Sequence, residues 1–263
     1  MIDLRGKNAI VTGASSGIGA AIARQLAREK CNVFLTGLGA SQLENTLQYC
    51  KSQGIAAYCK ECDFSDFNSI DVLVDDIKDK GFSIDIFVLN AGISQREKGL
   101  DTSFDTDKAI MQINYWSSVY IIKKFREHIL NAKHINISVT TSLAGLFGFP
   151  LRTSYCASKH ALFGFFESLD LEYSNVAVTF LIPGRINTEI SKSALMGDGK
   201  RYEKMDPGQS KGLDVDKAAK KAVNAIRKEK HRKLIGKGEL LMAHINRYIP
   251  CLYYKLAKII SPT

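Results

Sequence analysis

Tyr155 and Lys159 stand four positions apart in TSYCASKHA, a stretch that reads as the start of a helix, so their side chains fall on one face. A phenol with an ordinary pKa of about 10 is a poor base at neutral pH. A cation about 4 Å away, at an effective dielectric near 20, stabilises the phenolate by about 4 kcal/mol, or roughly three pKa units. Such a tyrosine would exchange a proton with a substrate oxygen near pH 7. Spacing alone does not select the pair, because Tyr120 with Lys124 and Tyr254 with Lys258 repeat it.

A second stretch with chemistry in it is Thr12-Gly13-Ala14-Ser15-Ser16-Gly17-Ile18-Gly19. It follows a strand-like run at 8–12 and precedes an amphipathic stretch at 20–28. A glycine-rich turn in that context lets a dinucleotide pyrophosphate approach the backbone, where helix N-terminal amides stabilise its charge. The spacing, G-x-x-x-G-x-G, is one residue wider at the front than the common dinucleotide fingerprint.

These residues need elements to hold them. Short apolar runs at 8–12, 32–36, 56–60, 84–89, 134–138, 177–182 and 233–235 read as buried strands. Amphipathic stretches at 20–28, 42–52, 69–80 and 109–130 lie between them. The alternation predicts an α/β fold: a Rossmann-type doubly wound parallel sheet of about seven strands with helices on both faces. A chain of 263 residues, 45% hydrophobic, accommodates this as one domain over 1–263. The stretch 190–212, rich in Ser, Gly and Lys, reads as a mobile substrate loop or lid, and 239–263 as a C-terminal helical extension.

Charge is regional. Residues 200–263 hold 16 Lys and Arg against 6 Asp and Glu, while the whole chain is +9, so the preceding part is close to neutral. Such an excess marks a solvated face or an anionic partner. Nucleic acid is not expected, since no recognition helix or aromatic platform motif accompanies it. Six scattered cysteines fit a reducing compartment, and the Cys59-x-x-Cys62 pair lacks the further ligands of a zinc set, so no metal is expected. The N-terminal residues run straight into a strand without the pattern of a signal peptide, and no apolar run reaches membrane-spanning length; the expectation is a cytoplasmic protein.

From about residue 7 to 235 the chain resembles the short-chain dehydrogenase/reductase family. The glycine turn has that family's spacing. Asp63 and Phe64 follow the third strand, and Asn90-Ala91-Gly92 ends the fourth, with Leu89 in place of the usual first asparagine. Asn114 lies in the helix beyond, Ser142 in TSLAG after the fifth strand, and Pro183-Gly184 ends the sixth, followed by Ile186 and Thr188. The family's active serine precedes its tyrosine by thirteen positions, as Ser142 precedes Tyr155; the same count back from Tyr120 and Tyr254 meets Asp107 and Leu241.

The resemblance implies hydride transfer between a nicotinamide cofactor and a ketone or alcohol, with Tyr155 as acid/base, Ser142 donating to the substrate oxygen, Lys159 beside the cofactor ribose and Asn114 ordering a water chain to Lys159. It implies cofactor contacts at Gly13, Ser15, Ser16, Gly17, Ile18 and Gly19, at Asp63 and Phe64 for adenine, at Asn90, Ala91 and Gly92, and at Pro183, Gly184, Ile186 and Thr188. NAD enzymes carry an acid at the end of the second strand, whereas NADP enzymes provide positive charge. Gly37 holds the acid's place and Leu38 the place of the arginine, so the missing carboxylate favours NADP(H) over NAD(H).

TSLAG, the Thr188-Glu189 ending and the extension past Lys237 resemble the hydroxysteroid and retinol dehydrogenase branch more than bacterial 3-oxoacyl reductases, which implies a lipophilic carbonyl or secondary alcohol as substrate. A 3-oxoacyl reductase and a nucleotide-sensing protein are the alternatives, and a homo-oligomer is the family default. In the tail over 239–261, Leu240, Leu241, Ile245, Ile249, Leu252, Tyr253, Leu256, Ile259 and Ile260 form an apolar surface beside His244, Arg247, Lys255 and Lys258, and Pro250 should divide it. Such a segment packs on the protein's own body, on a partner subunit or over the substrate pocket, or lies in a membrane interface as an apolar rim through which a lipophilic substrate enters.

Overall fold

The structure, a computed structural model, describes residues 1–259. The first half runs β1 (Asn8–Thr12), α1 (Gly17–Arg28), β2 (Asn32–Gly37), α2 (Ala40–Ser52), β3 (Ala57–Glu61), α3 (Phe67–Asp79) and β4 (Ile86–Leu89). There follow α4 (Phe104–Met111), α5 (Ser117–Lys124), α6 (Arg126–Asn131), β5 (Ile135–Thr140), α7 (Thr153–Glu172) and β6 (Val176–Pro183). The last part holds α8 (Pro207–Ser210), α9 (Val215–Arg227), β7 (Arg232–Ile235), α10 (Leu241–Tyr248) and α11 (Pro250–Ile259).

All seven strands are parallel, in the order β3-β2-β1-β4-β5-β6-β7. The middle strand β4 is a continuous apolar run, every residue of it buried, because both sheet faces are covered. One core lies under α1, α2 and α9, built on Ile22, Leu26, Leu47 and Ile226. The other lies under α3, α5 and α7, built on Leu73, Ile122, Leu162 and Phe166. Strand order reverses at β1, which pairs with both β2 and β4, and this opens a crevice at the carboxyl ends of those two strands.

Three expectations change. The stretch 109–130 is not one helix: a π-helical turn, Gln112–Trp116, separates α4 from α5, and Phe125 (φ −97°, ψ 13°) separates α5 from α6. The stretch 190–212 is tied down rather than loose. Leu195 exchanges backbone hydrogen bonds with Ser94 and Arg96, and Leu213 with Arg185 and Asn187. The tail divides at Pro250 as expected, but Tyr253 is buried against Phe147, with ring centroids 4.7 Å apart, and its hydroxyl donates to Gly148 O. Tyr248, Tyr254 and Ile259 on the same two helices, and Ile249 between them, are exposed. Ile260 and residues 261–263, part of the expected apolar surface and extension, lie outside the described residues.

Candidate active site

Tyr155, in the first turn of α7, is 9% exposed and borders a cavity of about 410 Å³. Burial pushes its phenol above the usual value, against a hydrogen bond with Ser142 and the nearby cations of Arg152 and Arg96. Ser142 lies just past β5, where its Oγ accepts from Ala144 N–H at 3.1 Å and starts a 3-10 turn, Leu143–Gly145. The serine expected to face the substrate is thus also the residue that caps this turn. Gln95 Oε1 accepts from Ser154 N–H at 2.9 Å and Tyr155 N–H at 3.4 Å, which holds the first turn of α7 beside the segment after β4.

Lys159 follows one turn on and is 3% exposed. Its Nζ donates to Thr140 O at 2.9 Å and stands 5.8 Å from the Tyr155 ring centroid. Burial alone lowers its ammonium to about 8. The lysine reaches back to the end of β5, where that carbonyl accepts from the buried ammonium.

Asn114 occupies the π-helical turn, a distortion often found at functional sites. Its Oδ1 accepts from Ile93 N–H at 2.8 Å, and its Nδ2 donates to Ile93 O at 3.0 Å and Ser158 Oγ at 2.9 Å. This pins the segment after β4 to α7. A Cβ on Gly92 would stand 3.0 Å from Asn114 Oδ1 and 3.3 Å from Lys159 Nζ, so glycine lets these groups converge.

The glycine turn lies across the crevice. Gly13 (φ +67°) carries no Cβ where one would meet Ala91 Cα and Asn90 Nδ2 at 3.0 Å, and a Cβ on Gly19 would lie 2.2 Å from Gly13 O. Thr12 Oγ1 accepts from both Asn90 N–H (2.9 Å) and Ala91 N–H (3.0 Å), locking the two strand ends together. Ser16 is the N-cap of α1 without a side-chain cap, and no acid stands in the helix's first turn. Gly17 packs near Thr188, and Ile18 with Pro183, Gly184, Ile186 and Thr188 lines the cavity beside Tyr155 and Ser142.

The residues matched by the model of the short-chain dehydrogenase family are 7–198. The chain belongs to that family. It is 33% identical to a "Dehydrogenase/reductase SDR family protein 7-like" of Anopheles gambiae, covering 97% of this chain and 83% of that one. It is 30% identical to "Dehydrogenase/reductase SDR family member 7B" of Mus musculus, over 96% and 80%. These relatives fit the branch resemblance drawn from the sequence. Among solved structures, a short-chain dehydrogenase/reductase of Burkholderia phymatum in complex with NAD superposes with a TM-score of 0.83 at 21% identity, covering 96% of each chain. An alcohol dehydrogenase of Thermococcus sibiricus complexed with 5-hydroxy-NADP gives 0.76 at 24% identity, over 89% of this chain and 97% of that one. Both share the short-chain dehydrogenase fold.

Gly37, Leu38, Asp63 and Phe64 lie away from the cavity, along the ends of β2 and β3. Gly37 is buried beside Ser15, Leu38 is 55% exposed, Asp63 accepts from Ser65 N–H and Oγ, and the Phe64 side chain points into the core. Strand register adds a group that sequence spacing did not reveal. Gly37 pairs with Glu61, whose Oε1 accepts from Gly39 N–H at 2.8 Å, so a carboxylate from β3 stands close to the position where β2 lacks one. Gln95, Arg96, Arg152 and Asp206 were also missed, since no motif marks them and they meet only in space. Cys62 is buried with its thiol pushed up to about 11, Cys59 is part-buried, and no cluster with metal-ligand composition occurs among the described residues.

Proposed function

We propose that the protein is an NAD(P)(H)-dependent oxidoreductase that interconverts a ketone and a secondary alcohol on a lipophilic substrate, with Tyr155 as acid/base. The observation that carries this reading is Tyr155 and Ser142 together on the wall of a cavity that also borders Ile18 of the glycine turn. Leu143, Phe149, Ile190, Met242, Tyr253 and Ala257 make much of the remaining wall apolar, which favours a lipophilic carbonyl compound.

The chain fits a dinucleotide. The space that a Cβ would fill at Gly13 and the uncapped N-terminus of α1 suit a pyrophosphate held by backbone amides. Gly13, Ser15, Ser16, Gly17, Ile18 and Gly19 would hold it there, Asp63 and Phe64 would border adenine, and Asn90, Ala91, Gly92, Pro183, Gly184, Ile186 and Thr188 would line its path towards Tyr155 and Lys159. The nicotinamide, when bound, supplies or accepts the hydride. Tyr155 then gives its proton to the developing alkoxide oxygen, or takes one from the alcohol, while Ser142 orients that oxygen. Lys159, with its ammonium lowered to about 8, can replenish the proton near neutral pH, and Asn114 fixes the backbone around it. Gly37 supports NADP(H) as the preferred cofactor, and Glu61 tempers that preference.

Tyr155→Phe should reduce turnover of a carbonyl panel by about 10²–10⁴-fold while cofactor still protects the protein in a thermal-shift titration. Near-normal rates in that variant would sink the mechanism. The same reading takes residues 190–212 as the substrate loop and the protein as a cytoplasmic homo-oligomer. Trp116, 48% exposed where α5 begins, is one candidate for the subunit contact, and sedimentation velocity showing only monomer would reject the assembly.

A further inference from the structure

Arg96, Arg152 and Asp206 form an ionic network in the cavity wall, drawn from three separate segments. The Arg96 and Asp206 side chains are each 3% exposed. Arg96 donates to Asp206 Oδ2 from Nε at 3.0 Å and Nη2 at 2.5 Å, and its Nη1 donates to Ser94 Oγ and Gln95 O. Arg152 Nη2 reaches the same Oδ2 at 3.3 Å. Asp206 belongs to the segment over the cavity, where its own N–H donates to Ser191 Oγ.

Arg152 is the N-cap of α7, and Tyr155 is that helix's third residue. The chain enters this cap through Leu151 at φ +62°, a left-handed conformation that costs a leucine energy and persists only where its surroundings enforce it. Glu97 N–H donates to Leu151 O, and Arg152 pairs with Glu97 in an isolated bridge, so the strained turn is fastened to the strand-end segment. The Arg152 guanidinium lies 6.0 Å from the Phe149 ring centroid.

We propose that Arg152, oriented by Asp206, is a positioning residue for the acid/base: its cation favours the Tyr155 phenolate, while the same carboxylate fastens the 190–212 segment over the cavity. This rests on the reading of Tyr155 as acid/base. The groups that face or share the wall with Tyr155 are Arg152, Cys156 and Lys159 on its own helix, Ser142 after β5, Arg96 after β4, Asp206 in the covering segment, Arg185 and Glu239 beyond β6 and β7, and Tyr253 on α11. Lys159 donates to Thr140 O, while Arg96 and Arg152 share the cavity wall with Tyr155. A nearby cation moves a phenol by about one to three pH units.

The test uses the full chain with its tyrosine ring carbons isotopically labelled, and Tyr155→Phe identifies the Tyr155 resonance. Ionisation is followed by NMR without substrate in wild type, Arg152→Gln, Arg152→Lys and Arg152→Met, the last keeping an apolar stem over Phe149 should the glutamine variant fold poorly. The expected result is a delay of about one pH unit or more in Arg152→Gln and Arg152→Met, including no ionisation before unfolding, with wild-type behaviour in Arg152→Lys. The rising limb of alcohol oxidation against pH should move by the same amount. Unchanged ionisation in the neutral variants, or an equal shift in Arg152→Lys, would overturn the proposal. Because ionisation is read without turnover, an inactive protein that shows the expected shifts would count against the functional reading and leave standing only the effect of Arg152 on the Tyr155 phenol.

Discussion

At the residue scale, Lys159 shows how a site group can cost stability. Its lowered value of about 8 has one cause, burial, with no carboxylate near enough to offset it. Because that value lies below the ordinary lysine value of 10.5, the unfolded chain binds a proton that the folded chain has released between the two, so stability rises with pH across about 8 to 10.5. Lys159→Met should therefore stabilise the protein at neutral pH by about 2 kcal/mol, the shift being discounted for the hydrogen bond lost at Thr140 O, and should remove that rise. Urea denaturation at several pH values checks this, and a variant less stable than wild type at pH 7 would contradict it. Cofactor choice is also decided by single groups. Gly37→Asp should move binding preference towards NADH on the order of tenfold, and Glu61→Gln towards NADPH by a smaller factor. A Cβ at Gly37 stands 3.3 Å from Ser15 Oγ, so the serine must rotate, which it can do as a short side chain. Dissociation constants for both reduced cofactors read the outcome, and a wild type that binds NADH alone would reverse the assignment.

At the element scale, α10 and α11 pack on the body through Met242, Ala243, Ile245 and Ala257 and have polar anchors as well. Glu239 Oε1 accepts from Arg185 N–H at 2.9 Å and Lys237 N–H at 3.1 Å, and it stands only 2.5 Å from where a Gly184 Cβ would be. Tyr253 then seats its ring on Phe147 and its hydroxyl on Gly148 O. The cavity wall contributed by Met242, Tyr253 and Ala257 depends on this second anchor. Tyr253→Ala should release α11 locally, raise its hydrogen exchange and weaken discrimination between short and long substrates, while Tyr253→Phe loses only about 1 kcal/mol of hydrogen bonding. Unchanged exchange in the alanine variant would mean that other contacts hold the helix.

For the whole molecule, three basic residues stand among exposed apolar residues on this extension. Tyr248 (71% exposed), Tyr254 (64%) and Ile259 (81%) stand with Arg247, Lys255 and Lys258, and no acid occurs between Leu240 and Ile259. A surface of that composition suits the interface of an anionic bilayer, with the cavity wall on the opposite side of the same helices. Deletion of 239–263 should abolish co-sedimentation with anionic liposomes and alter chain-length preference. A folded deletion protein that sediments and selects as before would reject membrane docking.

The α/β class, the strand alternation and the glycine-rich turn after β1 were legible in the sequence, because periodicity and local spacing are properties of neighbouring residues; the choice of Tyr155 over its two decoys came from the family resemblance. Even the break at Pro250 was local, following from a missing backbone donor. The structure decided what depends on partners far along the chain. Strand register brought Glu61 beside Gly37; Thr140 O took the Lys159 ammonium as donor; and Asn114 held Ile93 through a π-helical turn. Likewise, 110 positions separate Arg96 from Asp206, so no spacing rule could join them. Their pairing exists only because the sheet sets the end of β4 beside the segment after β6, and burial makes that pairing obligatory.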